Sequence, residues 1–63
     1  MCEFTVFLEE NSVKKKIADN VVKAKRKEGK VVLTNASGFF TKVDGATIDV
    51  VDTLMQELVL KKV

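Results

Sequence analysis

The residue of this chain best suited to hold a transition metal is Cys2, the single cysteine of a 63-residue sequence that contains no histidine. Its thiol lies one residue from the α-amine of Met1. If Met1 is removed, amine and thiolate can form a chelate ring with a metal. If Met1 stays, the amine, the Cys2 amide nitrogen and the thiolate can form two fused rings. Nitrogen and sulfur donors in a plane suit Ni(II) and equally Cu(II).

The alternative interpretation is that Cys2 is a small hydrophobic residue at the start of a strand. Free cysteines are often buried, and period-2 alternation predicts a half-buried strand over Cys2–Glu9. One face of that strand carries Cys2, Phe4, Val6 and Leu8. On this interpretation the thiol packs in the core and binds nothing.

The composition excludes most other chemistry. Without histidine there is no Ser-His-Asp or Cys-His pair and no histidine-based zinc site. One cysteine cannot form an intramolecular disulfide, and no carboxylates are placed as a catalytic pair. No apolar run exceeds three residues, so we expect no membrane span, no signal-peptide core and a cytoplasmic protein. The sequence predicts a protein that is not an enzyme and has no catalytic residues.

The length predicts one small domain over residues 1–63. A chain this short buries only about 60% of its unfolded surface, so a lone copy is marginally stable. Self-association is the expected remedy for a small β domain without disulfides.

Residues 12–30 fit two different structures. Ser12 can cap a basic amphipathic helix that ends near Gly29, because apolar residues recur at helical spacing at Val13, Ile17, Val21 and Ala24. Alternatively the segment breaks at 18–20, and a strand over 21–27 turns at Glu28-Gly29 into a strand over 30–35. That strand would have Val22 and Ala24 inward and Lys23, Lys25 and Lys27 outward. The β-branched residues beside the turn favour the hairpin.

The second half of the chain predicts strands near 31–34, 39–43, 46–52 and 58–62, separated by turns at 35–38 and 44–45. The alternative to the last two of these strands is one helix from Thr47 to Leu60. Eleven valines weigh against two long helices, because valine loses rotamer freedom in a helix. The sequence therefore predicts an all-β fold, a small barrel of five to six short antiparallel strands.

Several of these features occur in a recognisable order. A Met-Cys start opens into an alternating strand, followed by Ile-Ala-Asp-Asn-Val-Val (17–22), Glu-Gly-Lys-Val-Val-Leu-Thr (28–34), Phe-Phe-Thr-Lys-Val-Asp-Gly-Ala-Thr-Ile (39–48) and a terminal Leu-Val-Leu (58–60). Over essentially the whole chain this order resembles the CooT family of small nickel-binding proteins, whose archaeal members are often called predicted RNA-binding proteins.

The resemblance implies an Sm-like (Hfq-like) β-barrel that forms a homodimer. It also implies a nickel site at the dimer interface that uses Cys2, with one Ni(II) ion per dimer and a metalloenzyme client. The resemblance further implies strands, not helices, in the two ambiguous segments, residues 12–30 and 47–60. The run Lys14-Lys15-Lys16 departs from the family pattern, so a short helix or loop around 12–20 stays open.

A second hypothesis is RNA binding, which Sm-like barrels commonly perform. Residues 13–30 hold eight positive charges against two negative ones. The candidate contacts are Lys23, Lys25, Arg26 and Lys27, with affinity falling steeply with salt. Phe7 and Phe40 are the candidate stacking platforms, since alternation places the other two phenylalanines, Phe4 and Phe39, in the core. The alternative is that the lysines protect an exposed strand edge from aggregation.

The predicted dimer contact involves the first strand. Phe7 falls on its outer face, where an apolar side chain usually marks an oligomer contact. Together with the metal ligand this predicts an interface of Cys2, Phe4 and Phe7.

Overall fold

The computed structural model describes residues 2–63, and every regular element within them is a β-strand. The strands are β1 (Phe4–Glu10), β2 (Val13–Lys27), β3 (Lys30–Asn35), β4 (Phe40–Asp44), β5 (Ala46–Asp52) and β6 (Glu57–Lys62). The all-β prediction is confirmed, with six strands. The helix alternatives over 12–29 and 47–60 are wrong, and so is a short helix around 12–20. No helix in the described part of the chain is long and apolar enough to cross a bilayer.

The six strands form one sheet in the order β4-β3-β2-β1-β6-β5. All neighbours pair antiparallel except β1 and β6, the first and last strands, which pair parallel. The prediction of antiparallel strands throughout is wrong at that pair. The edge strands β4 and β5 meet at Gly45 without pairing, so the sheet curls into a half-barrel. The core lies on its concave face and is made of Val6, Val21, Val31, Leu33, Ala46, Leu58 and Leu60.

The long strand β2 is interrupted by bulges, which explains why its sequence imitates a helix. Its pairing with β3 jumps from Val21 to Lys23, leaving Val22 as an extra residue. Its pairing with β1 shifts twice more, between the partners of Phe4, Val6 and Phe7. Each bulge adds a residue to one strand, so core-facing positions recur every three or four residues instead of every two.

Three side chains that the sequence predicts to point into the core are exposed in the structure. Val21 is only 3% exposed, whereas Val22, predicted to point inward, is 42% exposed. Phe39, predicted for the core, is 71% exposed. The predicted inward position of Cys2 is also wrong, because Cys2 is exposed.

The bulge at Asn20 depends on an unusual backbone conformation. Asn20 has φ of 54°, in the left-handed region that asparagine tolerates better than most residues. We expect Asn20→Val to lower the free energy of unfolding by about 1–3 kcal/mol, and Asn20→Gly to cost less. Denaturant titration of both variants tests this. Equal losses in the two would show that the lost side-chain amide, and not the backbone conformation, carries the cost.

Candidate metal-binding end of the sheet

Cys2 lies just before β1, in a segment whose next residues are hydrogen-bonded to β2 on one side and to the turn before β6 on the other. Asn20 Nδ2 of β2 donates a hydrogen bond to Glu3 Oε1 at 2.7 Å. Thr5 N donates to Gln56 O, just before β6, at 3.0 Å. The thiol itself is free and exposed. These bonds tie residues 3 and 5, which directly follow Cys2, to β2 and to the turn before β6, and the Cys2 sulfur is open to a metal or a partner.

Two turns lie beside this segment. Ala36 N donates to Asn20 O at 2.8 Å, which brings the β3–β4 turn to the same end of the sheet. The bond from Thr5 to Gln56 does so for the β5–β6 turn. We call the combination of residues 2–3 with the 36–39 and 53–56 turns the N-terminal end.

Large apolar side chains are exposed at the N-terminal end. Leu54 is 89% exposed, Phe39 71% and Met55 63%. Asp52 Oδ1 accepts hydrogen bonds from Leu54 N and Met55 N at 3.0 and 2.9 Å. The carboxylate of Asp52 therefore shapes the turn that presents the two apolar residues. Neighbouring exposed apolar residues of this kind mark interaction sites.

An apolar groove opens near the same end, where β2 and β5 face each other across the concave side. Its volume is about 220 Å³. Its lining includes the first residue of β1 and the second residue of β6. The lining residues are Phe4, Val21, Val22, Lys23, Ala24, Ile48, Val51 and Leu58.

The side chains of one chain do not make a complete metal site. Among residues 2–63, no group of three or more histidine, cysteine, aspartate or glutamate side chains is placed to hold an ion. Cys2 offers its sulfur and its own amide nitrogen. The Met1 nitrogen, the other predicted main-chain donor, lies outside the described residues. A full donor set therefore needs main-chain nitrogen, a second chain, or both.

The two phenylalanines predicted at the dimer interface lie on opposite faces of β1. Phe4 pairs with the buried Val21 and packs against the core on the concave face. Phe7 lies on the outer face beside Val59, with Lys14 Nζ 5.2 Å from its ring centroid. Phe4 shares the concave side with the groove, whereas Phe7 does not.

The four predicted RNA contacts are also divided between two faces. Arg26 pairs with the buried Val31, so it shares the concave side with the core. Lys23, Lys25 and Lys27 pair in the rows of the outer face, and Lys23, which follows the bulge at Val22, also borders the groove. The structure places Lys30 and Lys42 on that outer face as well, since they pair in the rows of Lys27 and Lys25.

Sequence reasoning missed Leu54, Met55 and Lys42, and it counted Lys30 in the basic segment 13–30 without naming it as a contact. An apolar pair inside a four-residue turn is a signal that could have found Leu54 and Met55. The predicted turn at Glu28-Gly29 places Lys30 opposite Lys27, whereas no local pattern identifies Lys42, because its placement follows from the register of β4 on β3.

Comparison with known proteins adds a family and a fold. A family model described as CooT, the CO dehydrogenase accessory protein CooT, matches residues 1–61. The crystal structure of a CooT candidate from Carboxydothermus hydrogenoformans is similar, with a TM-score of 0.86 over 98% of each chain at 19% sequence identity. At that identity the likeness concerns the fold alone. No protein with a curated description is significantly similar in sequence.

Proposed function

Because the chain belongs to the CooT family of CO dehydrogenase accessory proteins, we propose that it is a homodimeric nickel-binding protein whose metal ligand is the Cys2 thiolate. The observation that carries the proposal is the exposed, free thiol of Cys2 in the segment just before β1. The direct test is calorimetric titration of the purified protein with Ni(II), beside a Cys2→Ala variant.

The donor chemistry supports nickel as the cargo. A thiolate with an adjacent main-chain nitrogen gives a mixed sulfur and nitrogen set, which suits square-planar Ni(II). Cys2 is the one soft side-chain ligand in the sequence apart from the weaker thioethers of two methionines. Two copies that meet near Cys2 would double the donors and complete a site that one chain leaves open, with one ion per dimer.

The dimer would form through the N-terminal end. The apolar side chains exposed there would be buried against a second copy of the chain. They are Leu54, Phe39 and Met55. Such an interface includes Cys2 and the side of β1 that carries Phe4. Phe7 faces the other way, so its part in the predicted interface would require a second contact surface.

We expect Leu54→Asp to weaken the dimer strongly. Leu54 is 89% exposed in the chain, so the change costs little folding energy, but it places a charge in the proposed interface. Analytical ultracentrifugation should show a shift from dimer to monomer. Phe7→Ser is the comparison variant. A dimer that survives Leu54→Asp and dissociates with Phe7→Ser would place the interface on the outer face instead.

The metal-carrying role fits an accessory protein. The family description names an accessory protein of CO dehydrogenase, which is consistent with the prediction that the chain is not itself an enzyme. A metalloenzyme client in the cytoplasm would receive the ion from the exposed Cys2 sulfur. We also propose that the curled sheet is a variant of the Sm-like small barrel, supported by its short strands and its single concave core.

A further inference from the structure

The outer face of β2, β3 and β4 carries a cluster of lysines, most of them from the basic segment 13–30 and one, Lys42, from β4. Residues directly opposite one another on neighbouring strands share a face. Three cross-strand rows result: Lys23 with Thr34 and Phe40, Lys25 with Val32 and Lys42, and Lys27 with Lys30 and Asp44. We call Lys23, Lys25, Lys27, Lys30 and Lys42 the basic face.

The basic face costs stability as it stands. Lys27 and Lys30 lie directly opposite each other, and like charges in that position are destabilising. Asp44 is the single carboxylate in the three rows. In the described part of the chain the ion pair within 4.0 Å joins Lys16 and Asp19, away from this cluster. With one carboxylate against five lysines, the three rows carry an excess of positive charge that an anionic partner can neutralise.

An aromatic ring stands at one end of the basic face. Phe40 is 73% exposed and lies in the same row as Lys23. Successive lysines along β2 are two residues, or about 7 Å, apart, and neighbouring strands are about 4.8 Å apart. The basic face is thus a positively charged surface formed by five lysines on three strands, with an exposed aromatic ring at its edge that can stack against a base.

We propose that the basic face binds single-stranded nucleic acid, with the lysines on the phosphates and Phe40 stacking against a base. Proteins that bind single strands without sequence preference combine such a charged track with exposed aromatic rings. An acidic protein surface would use the lysines but would gain less from the exposed ring. A duplex would bury its bases away from Phe40, so a single strand fits the combination better.

This activity is separate from nickel binding. The basic face lies on the outer side of β2, β3 and β4, whereas Cys2 lies at the N-terminal end before β1. Nickel titration of the lysine variants should match that of the unmodified protein, and Cys2→Ala should leave nucleic-acid binding unchanged. Failure of either proposal can therefore be read independently of the other.

The test is fluorescence anisotropy with a labelled oligouridylate from about 50 to about 200 mM salt. The variant Lys23→Gln with Lys25→Gln should lose at least about tenfold in affinity at low salt, and its log–log salt slope should fall by about 1.4. The matched control is Lys15→Gln with Arg26→Gln, which removes the same charge from β2 at positions paired with Leu8 and Val31 on the concave side. That control should lose less than about threefold in affinity, because a change in net charge alone affects binding less than the loss of direct phosphate contacts.

A second pair of variants tests the ring. Phe40→Leu should weaken binding at least about fivefold without changing the salt slope. Phe39→Leu, equally exposed but outside the three rows, should have little effect. Equal losses in the two lysine variants, or competition by polyglutamate as strong as by unlabelled RNA, would overturn the proposal. So would binding that Phe40→Leu leaves intact.

Discussion

Replacement of Cys2 by alanine is expected to abolish specific nickel binding. Loss of an outer-shell partner typically costs 10–100-fold in metal affinity, and loss of the only thiolate in the chain should cost more than about a hundredfold. Residues 2–63 contain no group of three or more histidine, cysteine, aspartate or glutamate side chains that could hold the ion in its place. Isothermal titration calorimetry with Ni(II) measures the change, and native mass spectrometry gives the number of ions per dimer.

The control for this experiment is Glu3→Ala. It removes the hydrogen bond from Asn20 but keeps the thiol, so we expect it to retain most of the affinity. Circular dichroism of both variants should match the parent spectrum, since Cys2 is exposed and outside the core. Nickel affinity that is unchanged in Cys2→Ala would exclude Cys2 as the ligand.

The same site predicts a pH dependence. A thiolate and a main-chain nitrogen bind metal only after losing their protons, so nickel binding releases protons and weakens as the pH falls. Titrations in two buffers of different ionisation enthalpy would count the protons released. The Cys2→Ala variant should release none at this site, which separates ligand chemistry from weak binding to surface carboxylates.

Leu60→Ala is expected to have the largest effect on stability. Leu60 is fully buried in the concave core, where truncation of leucine costs about 2–5 kcal/mol. A chain of this length has a total stability of about 3–9 kcal/mol. The substitution should therefore remove a large part of the free energy of unfolding and lower both the melting temperature and the urea midpoint. Thermal and urea unfolding, followed by circular dichroism at fixed protein concentration, measure the loss.

Val63→Ala is the matched control near the same end of the chain. Val63 is 84% exposed, so its truncation should change the free energy of unfolding by less than about 0.5 kcal/mol. The same experiment tests our proposal that residues 1–63 fold as one domain, because one concave core predicts a single transition for the whole sheet. A loss below about 1 kcal/mol in Leu60→Ala would show that the core around β6 is not tightly packed.

Sequence patterns identified the regular strands well and the bulged strand poorly. In β1 the alternation correctly predicted that Val6 is buried with Phe4 and Leu8 on its side. In β2 the bulges around Ile17, Asn20 and Val22 shift the alternation three times. A periodicity argument assumes that a strand pairs without bulges. For this bulged strand it therefore predicted helical spacing and placed the side chain of Val22 on the inward face.

The proposed metal ligand was visible in the sequence, but its surroundings were not. The lone cysteine, its closeness to the chain start and the absence of histidine singled out Cys2. Alternation alone put its side chain inward, whereas the anchored segment before β1 leaves it exposed. The exposed apolar residues at the same end of the sheet, Leu54 and Met55, come from a turn more than fifty residues away along the chain.

The sequence by itself determined which chemistry this protein can perform, because the types of side chain present decide which ligands and catalytic groups exist. It also determined the all-β class, through valine-rich segments and turn residues. The tertiary structure decided which groups meet: the parallel pairing of the first and last strands, the apolar turns at the same end of the sheet as Cys2, and the joining of Lys42 to the row of Lys25. These depend on the register of several strands at once, and register is set by the packing of the whole sheet against one core.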